Sequence, residues 1–224
     1  MNGFLELFAE YDIIGAFWMN IRLTILAAIG SFALGTVLAV FRISPVGSLR
    51  AIGTSYVNVV RNTPLTIIMV LGVLAVWGQL KITFSSDFEL NFFIYAVIAL
   101  SIYHAAFVCE AIRSGVNTVP QGQAEAARAI GLSFLPAARV VVLPQALRGA
   151  ITPLGNTLIA LTKNTTVAAA ASVAEASGLM KTMIEFNPNL MVSIFLTIAI
   201  GFCIIVIPMG LLTTWLSDKL AVAR

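Results

Sequence analysis

The chain has 224 residues, of which 59% are hydrophobic and only 10% are charged, and its formal net charge is +3. An ordinary globular domain is roughly half apolar and about a quarter charged, so this composition excludes a soluble protein and indicates an integral membrane protein. The apolar runs are continuous rather than alternating, which favours spanning helices over strands. As a membrane protein it should contact membrane lipid, and we expect no nucleic acid among its partners.

Hydropathy predicts an all-α membrane protein with five transmembrane helices, because the chain supplies about five apolar runs of roughly 20 residues. We expect one domain over residues 1–224, with spans at residues 13–41, 52–80, 92–113, 149–171 and 190–216. A polar stretch that ends in Pro64 should break the second span near its start, since proline lacks an N–H donor and disfavours helix at the residue before it. Broken backbone inside a membrane is tolerated only beside protein or water.

The distribution of basic residues predicts how the chain is oriented. Five spans place the two termini on opposite sides of the membrane, and cytoplasmic connections carry the excess of Lys and Arg. One side has only Lys81 and Lys181. The other side has Arg42, Arg50, Arg113, Arg128, Arg139, Arg148, Lys219 and Arg224. The C-terminus is therefore expected in the cytoplasm and the N-terminus outside.

Residues 123–144, between the third and fourth spans, form a stretch that hydropathy does not place in the membrane. Its first part is rich in alanine, and Gly131 stands where a helix commonly ends. We expect a short cytoplasmic helix within residues 120–145. Two interpretations are open from the residues alone: an ordinary amphipathic loop, or a helix whose small side chains let it enter a groove on another protein.

The spacing within this stretch resembles the EAA motif of the membrane subunits of binding-protein-dependent ABC importers. Glu125-Ala126-Ala127 is followed, after three residues, by Gly131 and, after nine more, by the sequence VVLP that ends at Pro144. In that family the motif forms a coupling helix that sits in a cleft of the cytoplasmic ATPase subunit. The resemblance implies the type I ABC importer permease fold. It also implies coupling contacts from Glu125, Ala126, Ala127, Arg128, Gly131 and Pro144.

Further segments are similar to signature segments of the polar amino acid permeases. They are RNTPL from Arg61, in which Asn62 departs from the usual glycine, EAIRSG from Glu110, PLGN from Pro153 and LTKNT from Leu161. The segments RNTPLT, GQAEAAR and LGNTLIALTKNTT look closest to the glutamate-uptake branch. The resemblance therefore implies a polar amino acid as substrate, with glutamate expected.

The broken second helix is the expected place for an amino acid to bind. A helix N-terminus after Pro64 offers a positive partial charge to the substrate carboxylate. The candidate substrate-binding residues are Thr63, Pro64, Leu65, His104, Phe107, Asn156, Thr157 and Ala160. By resemblance, relatives that import cationic amino acids carry an acid at the position of Thr157, so Thr157 favours an acidic or neutral substrate.

Ionisable side chains within or near the spans are candidates for a supporting polar network, because each costs several kcal/mol unless it faces protein or water. The expected members are Arg61, Glu110, Arg113 and Lys163. Other roles remain open: Arg61 and Arg113 could reach lipid headgroups, and Lys163 could pair with an acid. His104 could equally be an interhelical hydrogen-bond partner.

The sequence has no Gly-x-x-x-x-Gly-Lys-Ser/Thr segment, so the chain should not bind ATP in the P-loop manner. We therefore expect a transport subunit rather than an enzyme, with no catalytic residues, metal ligands or cofactor of its own. ATP and Mg are expected on a partner ATPase dimer. The resemblance further implies an extracytoplasmic amino-acid-binding protein, a second permease and the bacterial inner membrane. A paralogue is the expected second permease, and a second copy of this chain is the alternative.

An ion- or proton-coupled secondary transporter of a small solute is the main alternative function. Lys163, Glu110 and His104 would then relay charge, but the alanine-rich cytoplasmic helix would have no role. A membrane scaffold would leave the broken second helix unexplained. An enzyme would need a recognisable nucleophile and base together, and the sequence offers none.

Overall fold

The computed structural model describes residues 8–220, and within that range the chain forms helices and turns without a β-strand. The predicted all-α fold is confirmed. In chain order the α-helices are α1 (Ile13–Ile43), α2 (Gly47–Arg61), α3 (Leu65–Leu71), α4 (Phe88–Val116), α5 (Gln121–Ala129), α6 (Phe134–Ala137), α7 (Leu143–Gly149), α8 (Ile151–Asn164), α9 (Ala176–Phe186) and α10 (Met191–Leu220). The two termini, whose sides the orientation prediction concerns, lie outside the described residues.

Several α-helices continue directly into π-helical or 3-10 segments. π-helical turns continue α3 over Gly72–Gln79 and join α6 to α7 over Ala138–Val142. A 3-10 segment, Thr165–Ala171, continues α8. Short 3-10 and π segments of this kind often mark strained or functional places in a helix.

Three helical stretches of the described residues are each long and apolar enough to cross a membrane: α1, α4 and Pro188–Lys219. Two bent pairs pass the same test together: Gly47–Arg61 with Leu65–Gln79, bent by 98°, and Phe134–Gly149 with Ile151–Ala171, bent by 65°. Counting each bent pair as one span gives up to five spans, in agreement with the predicted number. The second pair was not expected to be bent.

In the second predicted span, the break before Pro64 is present, but the helix that precedes it starts earlier than residue 52. Helix α2 begins at Gly47 and has 15 residues. The break at residues 62–64 therefore separates it from the 7-residue helix α3. Asn62 Nδ2 and Thr63 Oγ1 donate to the carbonyls of Asn58 and Val59 at 2.7 and 2.8 Å. These two side chains cover carbonyls that the ended helix leaves without N–H donors.

The described residues divide into two compact units. Unit 1 comprises residues 8–29, 64–101 and 160–208, and unit 2 comprises residues 30–63, 102–159 and 209–220. In unit 1, α1, α9 and α10 share an apolar core that is formed by Ile13, Ala16, Ala176, Met183, Ile194 and Ile198. An edge-to-face contact between Phe17 and Phe202, with ring centroids 5.4 Å apart, extends this core.

In unit 2, helix α4 approaches α7 closely at Gly115. A Cβ at Gly115 would collide with the carbonyl oxygen of Ala146 and would lie 2.9 Å from Cβ of Ala150. Both alanines are fully buried. Glycine is therefore needed at this position because a side chain would push the two helices apart.

We expect Gly115→Ala to lower the stability of the protein by about 1–3 kcal/mol, the usual cost of overpacking a close contact. The measurement is the apparent Tm of the purified protein in detergent. Gly122→Ala is the matched control, since a Cβ at Gly122 meets no atom within 4 Å. Equal Tm values for the two variants would contradict the close approach of α4 and α7.

Candidate functional site

Helix α5 occupies the position predicted for the coupling helix. It begins after Pro120, which has an extended backbone, and it packs Ala127 inward with 3% exposure. Glu125, Ala126 and Arg128 are exposed on the same helix. Of the predicted coupling residues, the four on α5 therefore comprise one inward anchor and three outward side chains.

Gly131 ends helix α5 in a Schellman motif. The N–H of Leu132 donates to the carbonyl of Ala127 at 3.1 Å, and the N–H of Gly131 donates to that of Arg128 at 3.0 Å. Gly131 has a φ of 90°, which L-residues rarely adopt and glycine adopts freely. The glycine of the motif is thus required by the backbone of this chain.

Two exposed apolar side chains beside α5 were not predicted as part of this surface. Ile130 is 80% exposed, and Leu135, at the start of the return to the membrane, is 63% exposed. Their position directly after the alanine-rich helix could have indicated from the sequence that they belong to the same surface. Pro144, which was predicted as a coupling residue, stands exposed at the start of α7, directly after the π-helical turn.

Glu110 is the centre of the predicted polar network and lies in unit 2. Arg42 Nη1 donates to Glu110 Oε1, and Arg113 Nε donates to Oε2 at 2.9 Å. Arg61 Nη1 lies 3.8 Å from Oε1. The structure thus brings three of the four predicted members together and adds Arg42, which the sequence placed in a connecting loop. Lys163 is exposed in unit 1, and no ion pair of the described residues includes it.

The predicted substrate-binding residues divide between the two units. Within unit 2, His104 is 1% exposed, and its ring centroid lies 5.8 Å from that of Phe107. The Arg61 guanidinium lies over the same Phe107 ring at 5.5 Å. The remaining unit 2 members are Thr63, Asn156 and Thr157. The unit 1 members are Pro64, Leu65 and Ala160.

Thr157 is half-buried, and its hydroxyl donates to the Pro153 carbonyl at 2.9 Å. Asn156, next to it, is exposed. In unit 1, Leu65 is buried and follows Pro64, the residue that caps the start of α3.

A buried polar junction in unit 1 was missed by the sequence analysis. Asn20 Nδ2 donates to Thr165 Oγ1 at 2.8 Å and to Glu175 Oε2 at 3.0 Å, while its Oδ1 accepts from the Ala176 N–H at 3.0 Å. Asn20, Thr165 and Glu175 are each 0% exposed. We call these three residues the Asn20 junction. They join α1, the 3-10 segment and the start of α9.

Glu175 also caps the start of helix α9. Its carboxylate accepts from the N–H groups of Ser177 and Gly178 at 2.8 and 2.7 Å. A carboxylate at a helix N-terminus satisfies free N–H donors and the positive end of the helix dipole. Glu175 lies in the connection between the predicted spans 149–171 and 190–216. The small-residue sequence that follows it, Ala176-Ser177-Gly178, was the local sign of a helix start.

Burial raises the pKa of the Glu175 carboxyl above its ordinary value of 4.5. The Ser177 and Gly178 N–H groups, the Asn20 amide and the charge of Lys181 act in the opposite direction, but the loss of hydration prevails. The Asn20 junction thus holds a carboxyl group whose ionised form is less favourable in the folded protein than in water.

Comparison with known proteins decides what this helical chain is. A family model described as "Binding-protein-dependent transport system inner membrane component" matches residues 14–222. The chain belongs to that family. It is a permease subunit of a binding-protein-dependent transport system, and this family works with an ATPase and a substrate-binding protein.

Individual relatives agree with the family. The chain is 49% identical to the glutamate transport system permease protein GluC of Corynebacterium efficiens over 218 residues, which cover 95% of this chain and 96% of that protein. It is 31% identical to the probable glutamine ABC transporter permease protein GlnM of Bacillus subtilis over 91% of each chain. A chain of the crystal structure of an amino acid ABC transporter with histidines matches with a TM-score of 0.81 and 25% identity, over 96% of this chain and 98% of that one. The secondary-transporter alternative is not favoured.

We expect Glu175→Gln to flatten the pH dependence of stability. The folded-state pKa lies above the unfolded value, so the protonated carboxyl favours folding. That contribution is fully present below about pH 4.5 and is lost as the pH rises through the folded pKa. The measurement is the fall in Tm between about pH 4.5 and about pH 7, with Glu185→Gln, an exposed acid of the same helix, as control. A fall as steep in Glu175→Gln as in the wild type would contradict the pKa shift.

Proposed function

We propose that this chain is a transmembrane subunit of an ATP-driven importer of glutamate. The observation that carries the transport mechanism is the surface of α5, which is anchored by Ala127, ended by the Gly131 turn and exposed at Glu125 and Arg128. The substrate is supported by the 49% identity to a protein named as a glutamate permease over nearly the whole length of both chains. Glutamate, rather than aspartate or glutamine, is the substrate to test first.

The surface of α5 suits a helix that docks on an ATPase subunit. Its small side chains allow close approach, while Glu125 and Arg128 can fix its orientation by polar contacts. Ile130 and Leu135 add apolar area at the edge of the same surface. ATP and Mg are held by the ATPase dimer, and this chain receives the movement through α5.

The basic connections support an orientation with α5 and the C-terminus in the cytoplasm and the N-terminus outside. An extracytoplasmic binding protein then delivers the amino acid on the other side. One permease of this length supplies half of a pathway, so a second permease completes it. A paralogue is the proposed partner, with a second copy of this chain as the alternative.

Substrate contact is proposed for the exposed and half-buried polar residues of α8, Asn156 and Thr157. Thr157 is uncharged, so it does not repel the carboxylate side chain of a glutamate substrate. His104 and Phe107 of α4, together with Thr63, are proposed as further substrate contacts of unit 2. Pro64, Leu65 and Ala160, in unit 1, stay predictions from the sequence. Arg61, Glu110 and Arg113 are proposed to support the site as a charged network.

Coupling through α5 can be tested with Glu125→Ala and Gly131→Ala. We expect ATP-driven glutamate uptake by the reconstituted importer to fall by roughly tenfold in each, as for a loss at the centre of an interface. The ATPase should also co-purify less well. Glu125→Ala removes an exposed side chain, whereas Gly131→Ala strains a backbone at positive φ.

Gln121→Ala, another exposed position of α5, is the matched control and should transport normally. The variants should insert in the membrane and melt at nearly the wild-type temperature, apart from a small loss in Gly131→Ala. Full uptake with normal ATPase co-purification in Glu125→Ala and Gly131→Ala would exclude α5 as the coupling element.

The role of Thr157 can be tested with Thr157→Glu and Thr157→Gln, which have similar size but different charge. We expect Thr157→Glu to raise the KM for glutamate uptake by about tenfold, because like charges repel in a partly desolvated site. Thr157→Gln should retain most of the uptake, and both variants should still assemble with the ATPase. Unchanged uptake kinetics in Thr157→Glu would remove Thr157 from the substrate site.

A further inference from the structure

In the Glu110 network, the positive charges of the arginines outnumber the single negative charge of Glu110. Three guanidinium groups, those of Arg42, Arg61 and Arg113, lie within 4 Å of one carboxylate. The group therefore carries an excess of two positive charges. All four residues belong to unit 2 and to candidate membrane spans, where an uncompensated charge costs several kcal/mol unless it meets protein, water or an anion.

The three arginines differ in how far their hydrogen-bonding capacity is used. Arg42 is the most enclosed, with 14% of its side chain exposed, and it donates directly to Glu110. Arg113 donates to Glu110 through Nε alone among the described residues, so both of its terminal nitrogens remain available. Arg42 and Glu110 thus form a closed pair, while Arg113 keeps two donor groups for another partner.

The N–H donors of the Arg61 guanidinium are also available for another partner. Its Nη1 lies 3.8 Å from Glu110 Oε1, which is too far for a hydrogen bond. Its guanidinium carbon lies 5.5 Å from the centroid of the Phe107 ring, a contact that uses none of its N–H donors. The side chains of Arg61 and Arg113 are 47% and 42% exposed, so both can be reached from outside the unit.

We propose that Arg61 and Arg113 form a binding site for an oxyanion. Guanidinium groups bind carboxylate and phosphate oxygens through paired N–H donors, and here both groups are held beside one carboxylate. Glu110 positions the two arginines, and the hydrogen bond from Arg42 holds Glu110 in place. The ligand is either the phosphate of an anionic phospholipid headgroup or the carboxylate of a small solute. The solute form of this site rests on the proposed transport function, whereas the lipid form does not depend on it.

The test uses the complete purified importer in lipid nanodiscs and follows bound anions by native mass spectrometry. One arm contains phosphatidylglycerol and counts the lipid molecules retained on each complex. The other arm contains only zwitterionic phosphatidylcholine and titrates L-glutamate as a carboxylate probe. Arg61→Gln is the leading variant, because Arg61 makes no hydrogen bond to the described residues and its loss should leave the fold intact.

We expect Arg61→Gln to weaken retention of the bound oxyanion by about tenfold, the size expected for a lost charge-assisted contact. Arg113→Gln should have a similar effect, and Arg61→Lys, which keeps the charge but loses the paired donors, should have a smaller one. Arg50→Gln, an exposed arginine of the same helix α2, is the control and should bind as the wild type does. Tm values of all variants confirm that they are folded.

The two arms distinguish the sources of the ligand. If Arg61→Gln weakens the binding of phosphatidylglycerol alone, the site binds lipid. If it weakens the binding of L-glutamate alone, the site binds a solute. Retention of both anions at the wild-type level by Arg61→Gln would overturn the proposal. Release of a second permease by Arg61→Gln, with both anions still bound, would also overturn it, because the arginine would then pair with a carboxylate of that subunit.

Discussion

A polypeptide that crosses a membrane must satisfy its own backbone wherever it departs from the α-helix, and this constraint explains the positions of Asn20, Asn62 and Thr63. At the end of α2, Asn62 and Thr63 bond to carbonyls of the preceding turn, so the helix can stop before Pro64. Asn20 does the same for the N–H of Ala176 at the start of α9. These polar side chains satisfy backbone groups where a helix ends or begins, and broken helices are tolerated in a membrane only where the freed groups find such partners.

The two units rely on carboxylates in contrasting ways. Glu175 is fully buried and accepts its hydrogen bonds from neutral donors, so it orders the start of a helix without a salt bridge among the described residues. Glu110 is partly exposed and collects three arginines, which leaves the network positive. The first arrangement is closed and rigid. The Glu110 network can bind a further anion. Lipid, substrate and other subunits, which surround a permease, can each supply one.

Sequence reasoning succeeded where the determining physics is local. Apolar run length gave the all-helical fold, the backbone restriction at Pro64 gave the break, and the preference of glycine for positive φ gave the end of α5 at Gly131. It failed where the determining contact is remote in sequence. Asn20 and Glu175 meet across 155 positions, and neither residue carries a local sign of its partner. Arg42 was placed in a loop because hydropathy marks where an apolar run ends and not where the helix does.

The Asn20 junction sets a practical rule for building hybrid permeases. Its members come from the first helix and from the segment between α8 and α9, so a crossover anywhere between residues 30 and 159 would take its two sides from different parents. A hybrid could then bury a carboxylate opposite a side chain that cannot donate to it. Crossovers that alter substrate preference should therefore keep Asn20, Thr165 and Glu175 from one parent, even though these residues lie far apart in the gene.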